Sequence, residues 1–305
     1  MKKIILCFIL FGNLVFADKG MFSVMPNISI YEPGQKAIIA WNGTKECLIL
    51  AVDAYADTNT KVIEILPLPS KPKVKEGKIE SFKEVQRLIM KHRPAPKTKG
   101  MKSESSLSVP RQEGVEILFH KQVGAHNITC VKALNIKEFQ KWAQEFIKSE
   151  NMDSISTPAG LGSIISHYME DSIVYFVFDV IELNKEISSI NPIIYEFKSP
   201  YLFFPLIISS LTKGESEIQL FLLTKDVPWP LAVSPFKIGE YRTYRRNMVV
   251  NIQFNITYEE LGSIDTILRK YFKNKVWLTA LEHKETMSNL NKDLKLKTFC
   301  KIIEY

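Results

Sequence analysis

Strand-length apolar stretches succeed one another along this chain with turn residues between them, and helix-length patterns interrupt them only now and then. Ile28 to Tyr31 alternates, Pro33-Gly34 supplies a turn, Lys36 to Trp41 returns, and Asn42-Gly43 is the strongest short hairpin signal in the chain. Glu46 to Tyr55 and Lys61 to Leu66 read as two further strands around the polar Ala56 to Thr60 loop. Strands are also predicted across Val115 to Leu134, with a bend near Gly124, and at Ile173 to Leu183, Pro192 to Phe197 and Leu202 to Ser210. Glu217 to Thr224, Met248 to Asn255, Val276 to His283 and Leu294 to Phe299 complete the set. Strands that come in runs, joined by short turns, point to an α+β fold with mainly antiparallel β-sheets and about four amphipathic helices.

The helices have local signals of their own. Ser81-Phe82-Lys83-Glu84 reads as a capping box, followed by Phe82, Val85, Leu88 and Ile89 at helical spacing until Pro94. Asn135 caps a helix in which Ile136, Phe139, Trp142, Ala143, Phe146 and Ile147 share one face. A shorter helix is predicted from Ala159 to Tyr168, after Pro158. Thr257-Tyr258-Glu259-Glu260 is a second capping box, opening a helix that carries Leu261, Ile264, Leu268 and Phe272.

Met1 to Ala17 has the layout of a bacterial secretory signal: Lys2 and Lys3, an apolar run from Ile4 to Phe11, and Val15-Phe16-Ala17 at the cleavage site. The protein is therefore expected to be exported, periplasmic or secreted, with the signal cleaved after Ala17. Cys7 comes too early in the apolar run for a lipoprotein signal. The remainder divides into a β-rich module with one helix over 18–92, a Pro-, Lys- and Ser-rich linker or loop over 93–114, and an α+β module over 115–305, the two modules forming one fold or two. The apolar runs Ile173 to Leu183 and Tyr201 to Leu211 are too short to span a bilayer, so no integral membrane segment is expected after cleavage.

Hydrophobic residues make up 46% of the chain and charged residues 24%, the balance of a globular protein. The formal charge is +7, or +5 without Lys2 and Lys3, and much of the excess lies between Lys71 and Lys102. A modestly basic exported protein is expected to meet an anionic envelope polymer or a protein partner rather than a nucleic acid. Cys47, Cys130 and Cys300 follow the signal; their odd number leaves at least one thiol unpaired, and no CxxC exists to support a redox or zinc site.

The segments Tyr31 to Trp41, with its Glu32-Pro33-Gly34-Gln35 start, Glu46 to Leu50, and Ile65 to Pro72, with its Leu66-Pro67-Leu68-Pro69 exit, resemble an uncharacterised family of exported bacterial proteins. That family is catalogued as domain of unknown function number twenty-three thirty. Phe139 to Phe146, Tyr175 to Phe178, and Phe197-Lys198-Ser199-Pro200 leading to Phe204-Pro205-Leu206 agree with the resemblance, which spans most of the chain. It implies an exported location and one coherent fold, and it implies no activity. Some members end in a hydrophobic anchor; Lys301 to Tyr305 departs from that pattern.

Motifs that carry chemistry are sparse. Ser210-Leu211-Thr212-Lys213 has the SxxK spacing, but Gly214 and flanking strands predict a hairpin instead of the required helix start. Gly160-Leu161-Gly162 lacks the third glycine and preceding strand of a nucleotide loop, and neither GxSxG nor HExxH occurs. His120 and His126, with His167 or His283, match no metal-ligand spacing, and Asp53, Asp57 and Asn59 lack the glycine that lets a loop wrap calcium. No cofactor motif is present. Tyr241, Arg242, Tyr244, Arg245 and Arg246 interleave planar cations with aromatic faces, a composition suited to phosphate, carboxylate or sugar contacts, and form the candidate binding site. The expected function is non-catalytic binding or structural work outside the cytoplasm; the alternative is a secreted hydrolase assembled from distant residues such as His120, His126 and Asp53.

Overall fold

The computed structural model describes residues 22–23, 30–93, 116–149, 160–185, 188–189, 191–211, 215–242 and 249–301. In chain order, β1 (Ile30–Trp41), β2 (Lys45–Ala56), β3 (Thr60–Leu68) and β4 (Lys73–Glu76) lead into α1 (Glu80–His92). Next come β5 (Glu116–Val123), β6 (His126–Lys132), α2 (Ile136–Ser149), α3 (Leu161–Glu170) and β7 (Tyr175–Leu183). They are followed by β8 (Ile193–Lys198), β9 (Leu202–Phe204), β10 (Glu215–Thr224) and β11 (Lys237–Ile238). The last are β12 (Gln253–Ile256), α4 (Tyr258–Ile264), β13 (Val276–Thr286) and β14 (Leu294–Leu296); shorter pairings are named by their residues.

Two sheets are stacked. The smaller is antiparallel, ordered β3-β7-β6-β5, with Phe22–Ser23 on the far side of β3. The larger is ordered β11-β13-β10-β1-β2-β8-β4, with β12 also on β13 and Ser188–Ser189 on β2; its one parallel pair is β1 with β10. Strands from both halves of the chain interleave in each sheet. The short turn at Asp57–Asn59 carries the chain from β2 in one sheet to β3 in the other.

Alternation along the strands builds three apolar layers. Ala37, Ile39, Leu48, Leu50, Leu220 and Leu222 of the large sheet face Leu66, Leu68, Ile128 and Val177 of the small one. The intervening residues Ile38, Ala40, Ile49, Phe221 and Leu278 turn outward beneath Phe82, Val85 and Leu88 of α1 and Leu261 and Ile264 of α4. On the outside of the small sheet, Ile63, Ile65, Phe176 and Phe178 meet Phe139, Ala143 and Ile147 of α2 and Ile165 and Tyr168 of α3. The order of layers is helix, sheet, sheet, helix, an α+β architecture. Among the described residues no helix is long and apolar enough to cross a membrane.

Several local signals work as their chemistry requires. Asn42 Oδ1 accepts the Thr44 and Lys45 N–H groups and Gly43 takes φ +101°, closing the hairpin between β1 and β2. Asn135 accepts the Lys137 and Glu138 N–H groups ahead of α2. Thr257 and Glu260 form the reciprocal capping box of α4.

Others are corrected. Pro33-Gly34 makes no turn; β1 runs through it with a register shift between Tyr31 and Gly34, which accommodates a residue lacking a donor. Ser81 and Glu84 form no capping box: α1 begins at Glu80, and the Glu84 carboxylate instead takes Arg87 and the Ser263 hydroxyl of α4, at 2.6 Å each. The segment from Leu202 to Ser210 is a strand only to Phe204 and then a 3₁₀ turn over Ile207–Leu211. The helix begun at Tyr258 stops at Asp265, whose side chain caps a separate 3₁₀ turn over Thr266–Lys270.

Candidate functional site

Where α1 enters over the outer face of the large sheet, the helix cover stops short of the strand ends and leaves a cleft of about 380 Å³. Its floor is Ala51, Ile79, Phe82 and Phe221, and its polar rim is Lys36, Asp53, Lys83, Gln86 and Gln219. On each contributing strand a polar residue replaces the outward apolar one: Lys36 precedes Ile38, Asp53 follows Ala51, and Gln219 precedes Phe221. Lys36 Nζ lies 3.7 Å from Asp53 Oδ2, Lys83 Nζ lies 3.4 Å from Glu80 Oε1, and Gln219 Nε2 donates to Glu217 Oε1 at 2.8 Å. Ile79, at the N-cap of α1, and Phe82, Lys83 and Gln86 within it lie on one stripe. The stripe continues through exposed Met90 to Arg93, whose guanidinium lies 5.2 Å over the ring of Tyr241.

The groups with the potential for acid–base chemistry lie elsewhere, inside the core. His126 Nδ1 is 2.6 Å from Asp179 Oδ2, and its Nε2 is 2.9 Å from the Asn191 carbonyl. A carbonyl oxygen only accepts, so Nε2 carries a proton, and a second proton on Nδ1 faces the Asp179 carboxylate in the imidazolium form. Burial acts to lower the His126 pKa, but the hydrogen bond and charge of Asp179, with the charge of Glu64 beside it, outweigh burial and raise it. Asn191 in turn donates to Glu76 Oε1 at 2.8 Å, so the chain of bonds ties the small sheet to the large one.

Burial raises the pKa of Glu46, although its Oε2 accepts the Phe203 N–H at 2.7 Å. It pushes the Cys130 thiol up to about 12 and holds Cys47 protonated as well, leaving both as inert core residues. Cys47, Cys130 and Cys300 are all free thiols. Asp293 Oδ1 accepts the Tyr168 hydroxyl at 2.9 Å and the Leu206 and Ile207 N–H groups at 2.8 and 3.0 Å.

The structure does not bring the remaining sequence candidates together. His120 bonds Thr129 on the helix-covered face of the small sheet, His126 points between the sheets, and Asp53 lies on the outer face of the large sheet. His167 is on α3, and His283 Nδ1 is 3.4 Å from the Pro235 carbonyl. No group of three or more His, Cys, Asp or Glu side chains among the described residues is arranged to hold a metal ion. Ser210 sits in a 3₁₀ turn rather than a hairpin and donates to the Ile207 carbonyl, while Lys213 lies outside the described residues.

Tyr241 and the backbone of Arg242 belong to a short strand, Glu240–Arg242, paired with Val249–Asn251. Tyr241 packs against the layer under α1; Tyr244, Arg245 and Arg246 lie outside the described residues, as do residues 1–21 and the 94–115 segment. Sequence reasoning missed the cleft. The signal was available as the isolated polar residue ending each outward apolar series.

No curated protein sequence matches the chain. Among solved structures, baculovirus P35 is similar at 9% identity and a TM-score of 0.41, covering 90% of this chain and 98% of P35. P35 in its complex with caspase-8 is similar at 10% identity and a TM-score of 0.42, covering 87% of this chain and 96% of the other. Residues 17–228 match the family described as "Uncharacterized protein conserved in bacteria" (DUF2330), which takes in the strands of the Glu-Pro-Gly-Gln start and the Leu-Pro-Leu-Pro exit, and the chain belongs to that family.

Proposed function

We propose that this is an exported, non-catalytic binding protein that holds an anionic envelope polymer or a protein partner at its surface. The observation that carries this reading is the division of polar groups. The cleft presents lysines, amides and one carboxylate around an apolar floor, with no histidine or thiol among its lining residues. The acid–base groups of His126, Asp179, Glu46 and Asp293 are committed to bonds inside the core. Catalysis calls for titratable groups converging on a pocket, whereas recognition calls for a groove with few of them. The stripe of α1 that starts at the cleft reaches Tyr241 through Arg93, and Arg242, Tyr244, Arg245 and Arg246, which follow Tyr241 in the sequence, are proposed as a second contact zone.

Two measurements test the proposal. N-terminal sequencing of the exported protein should begin at Asp18; a mature species retaining Met1 defeats the export reading. Purified mature protein should co-sediment with its own cell-envelope fraction and be released as salt rises, because exposed charge contacts are screened. Replacing Arg242, Arg245 and Arg246 together by alanine should weaken retention by roughly a hundredfold, at about 1 kcal/mol per cation. Retention curves identical to those of the native protein remove that segment as a contact.

A further inference from the structure

Besides the contacts proposed above, we infer that one end of the large sheet docks on the surface of an anionic phospholipid bilayer. Five segments meet there: the Asn42–Lys45 hairpin, Ser70-Lys71 after β3, Lys198–Tyr201 closing β8, Lys225–Trp229 after β10 and Lys297–Cys300 after β14. The Ser199 N–H donates to the Thr44 carbonyl at 3.0 Å, the Ser70 hydroxyl to that of Lys198 at 2.8 Å, and the Trp229 N–H to that of Thr298 at 3.1 Å. Trp41 joins them by donating its Nε1–H to the Ser199 carbonyl at 3.1 Å and stacking on Phe299 with ring centres 5.3 Å apart. Lys45, Lys71, Lys198, Lys225 and Lys297 are exposed on these segments, and none of them forms an ion pair with a described residue. Asp226 is the one carboxylate that the five segments carry, and Asp171 nearby is already held by Lys295. Lys45 and Lys198 stand directly opposite each other on β2 and β8, a like-charge pairing that works against the sheet and is relieved beside a negative surface.

The same end presents an indole. Trp229 is 43% exposed, with Trp41, Tyr201 and Phe299 half-buried around it. Pro228 and Pro230 flank it and hold its backbone extended, at φ −66° and ψ 123°, so little freedom is left to lose when the ring is ordered. A soluble polyanion would engage the lysines and leave the indole in water. A bilayer surface engages both, because lysines meet anionic head groups while tryptophan settles at the boundary between head groups and acyl chains.

Co-sedimentation of the mature protein with vesicles of mixed phosphatidylglycerol and phosphatidylcholine, against vesicles of phosphatidylcholine alone, tests the inference. Binding to the anionic vesicles should be tighter by at least about tenfold and should weaken as salt rises. Replacing Lys45, Lys198 and Lys297 together by glutamine should weaken it about a hundredfold. Replacing Lys185, Lys237 and Lys284, exposed lysines outside these five segments, removes the same charge and should change binding by less than about threefold. Brominated acyl chains should quench the tryptophan fluorescence of the bound native protein, and Trp229→Phe should remove most of that quenching while the protein still binds. Equal binding to neutral vesicles, equal losses in the two lysine variants, or quenching unchanged by Trp229→Phe would each overturn the inference. Soluble polyphosphate that binds as tightly as the anionic vesicles, with no dependence on Trp229, would also overturn it and assign the lysines to a soluble polyanion.

Discussion

Replacing His126 by leucine should lower the unfolding free energy by about 3–5 kcal/mol, because it strands the buried Asp179 carboxylate without its charged partner and opens the tie to Asn191. Urea unfolding at pH 6 measures the loss, and a loss below about 1 kcal/mol would rule out the imidazolium tie. The effect carries a pH signature of definite sign. The folded-state pKa of His126 lies above its ordinary value, the Asp179 and Glu64 carboxylates outweighing burial. Its contribution is therefore complete below the unfolded-state value of about 6.5 and is lost as pH rises through the higher folded-state value. A neutral ring has one N–H for two acceptors, so either Asp179 or the Asn191 carbonyl then loses its donor. The native midpoint should fall across that window while the leucine variant stays flat. Parallel curves would assign the tie to a neutral histidine.

Asp293→Ala should be comparably damaging, at about 3–5 kcal/mol, since it removes the acceptor shared by the Tyr168 hydroxyl and the Leu206 and Ile207 N–H groups and leaves buried donors unpaired. Asp293→Asn keeps a carbonyl oxygen in the same place and should cost only about 1 kcal/mol. Tyr168→Phe should fall between, at about 2 kcal/mol, because that hydroxyl donates to Asp293 and accepts the Ile208 N–H at 3.1 Å. Thermal or urea unfolding of the three variants gives the order. An asparagine variant as unstable as the alanine one would show that charge, rather than the acceptor, holds this junction.

How much of this was legible beforehand depends on the range of the interaction. The α2 helix and its apolar face, the Asn42-Gly43 hairpin, the capping box of α4 and the α+β class all follow from neighbours a few residues apart, whose backbone preferences and periodicity suffice. The Ser81–Glu84 box failed for the opposite reason. Glu84 finds Arg87 and the Ser263 hydroxyl, a partner supplied by a helix far along the chain, and that pairing overrides the local cap. Pro33-Gly34 carries a turn composition, yet the ladder to β10 holds Gly34 to Trp41 extended, and strand pairing across the sheet outweighs a two-residue preference.

The candidate site divides along the same line. The chemistry of Tyr241 and its neighbouring arginines is a local composition and can be read directly, whereas the cleft gathers Lys36, Asp53, Lys83 and Gln219 from four separate elements. His126 and Asp179 lie 53 residues apart and meet only because β6 and β7 are adjacent in the small sheet. Sequence alone determined where most strands and helices lie and which of their faces are apolar, because those properties reside in local sterics and hydropathy. Strand order, the stacking of the two sheets and the polar groups buried between them were decided by tertiary structure, since these contacts exist only after distant strands have paired.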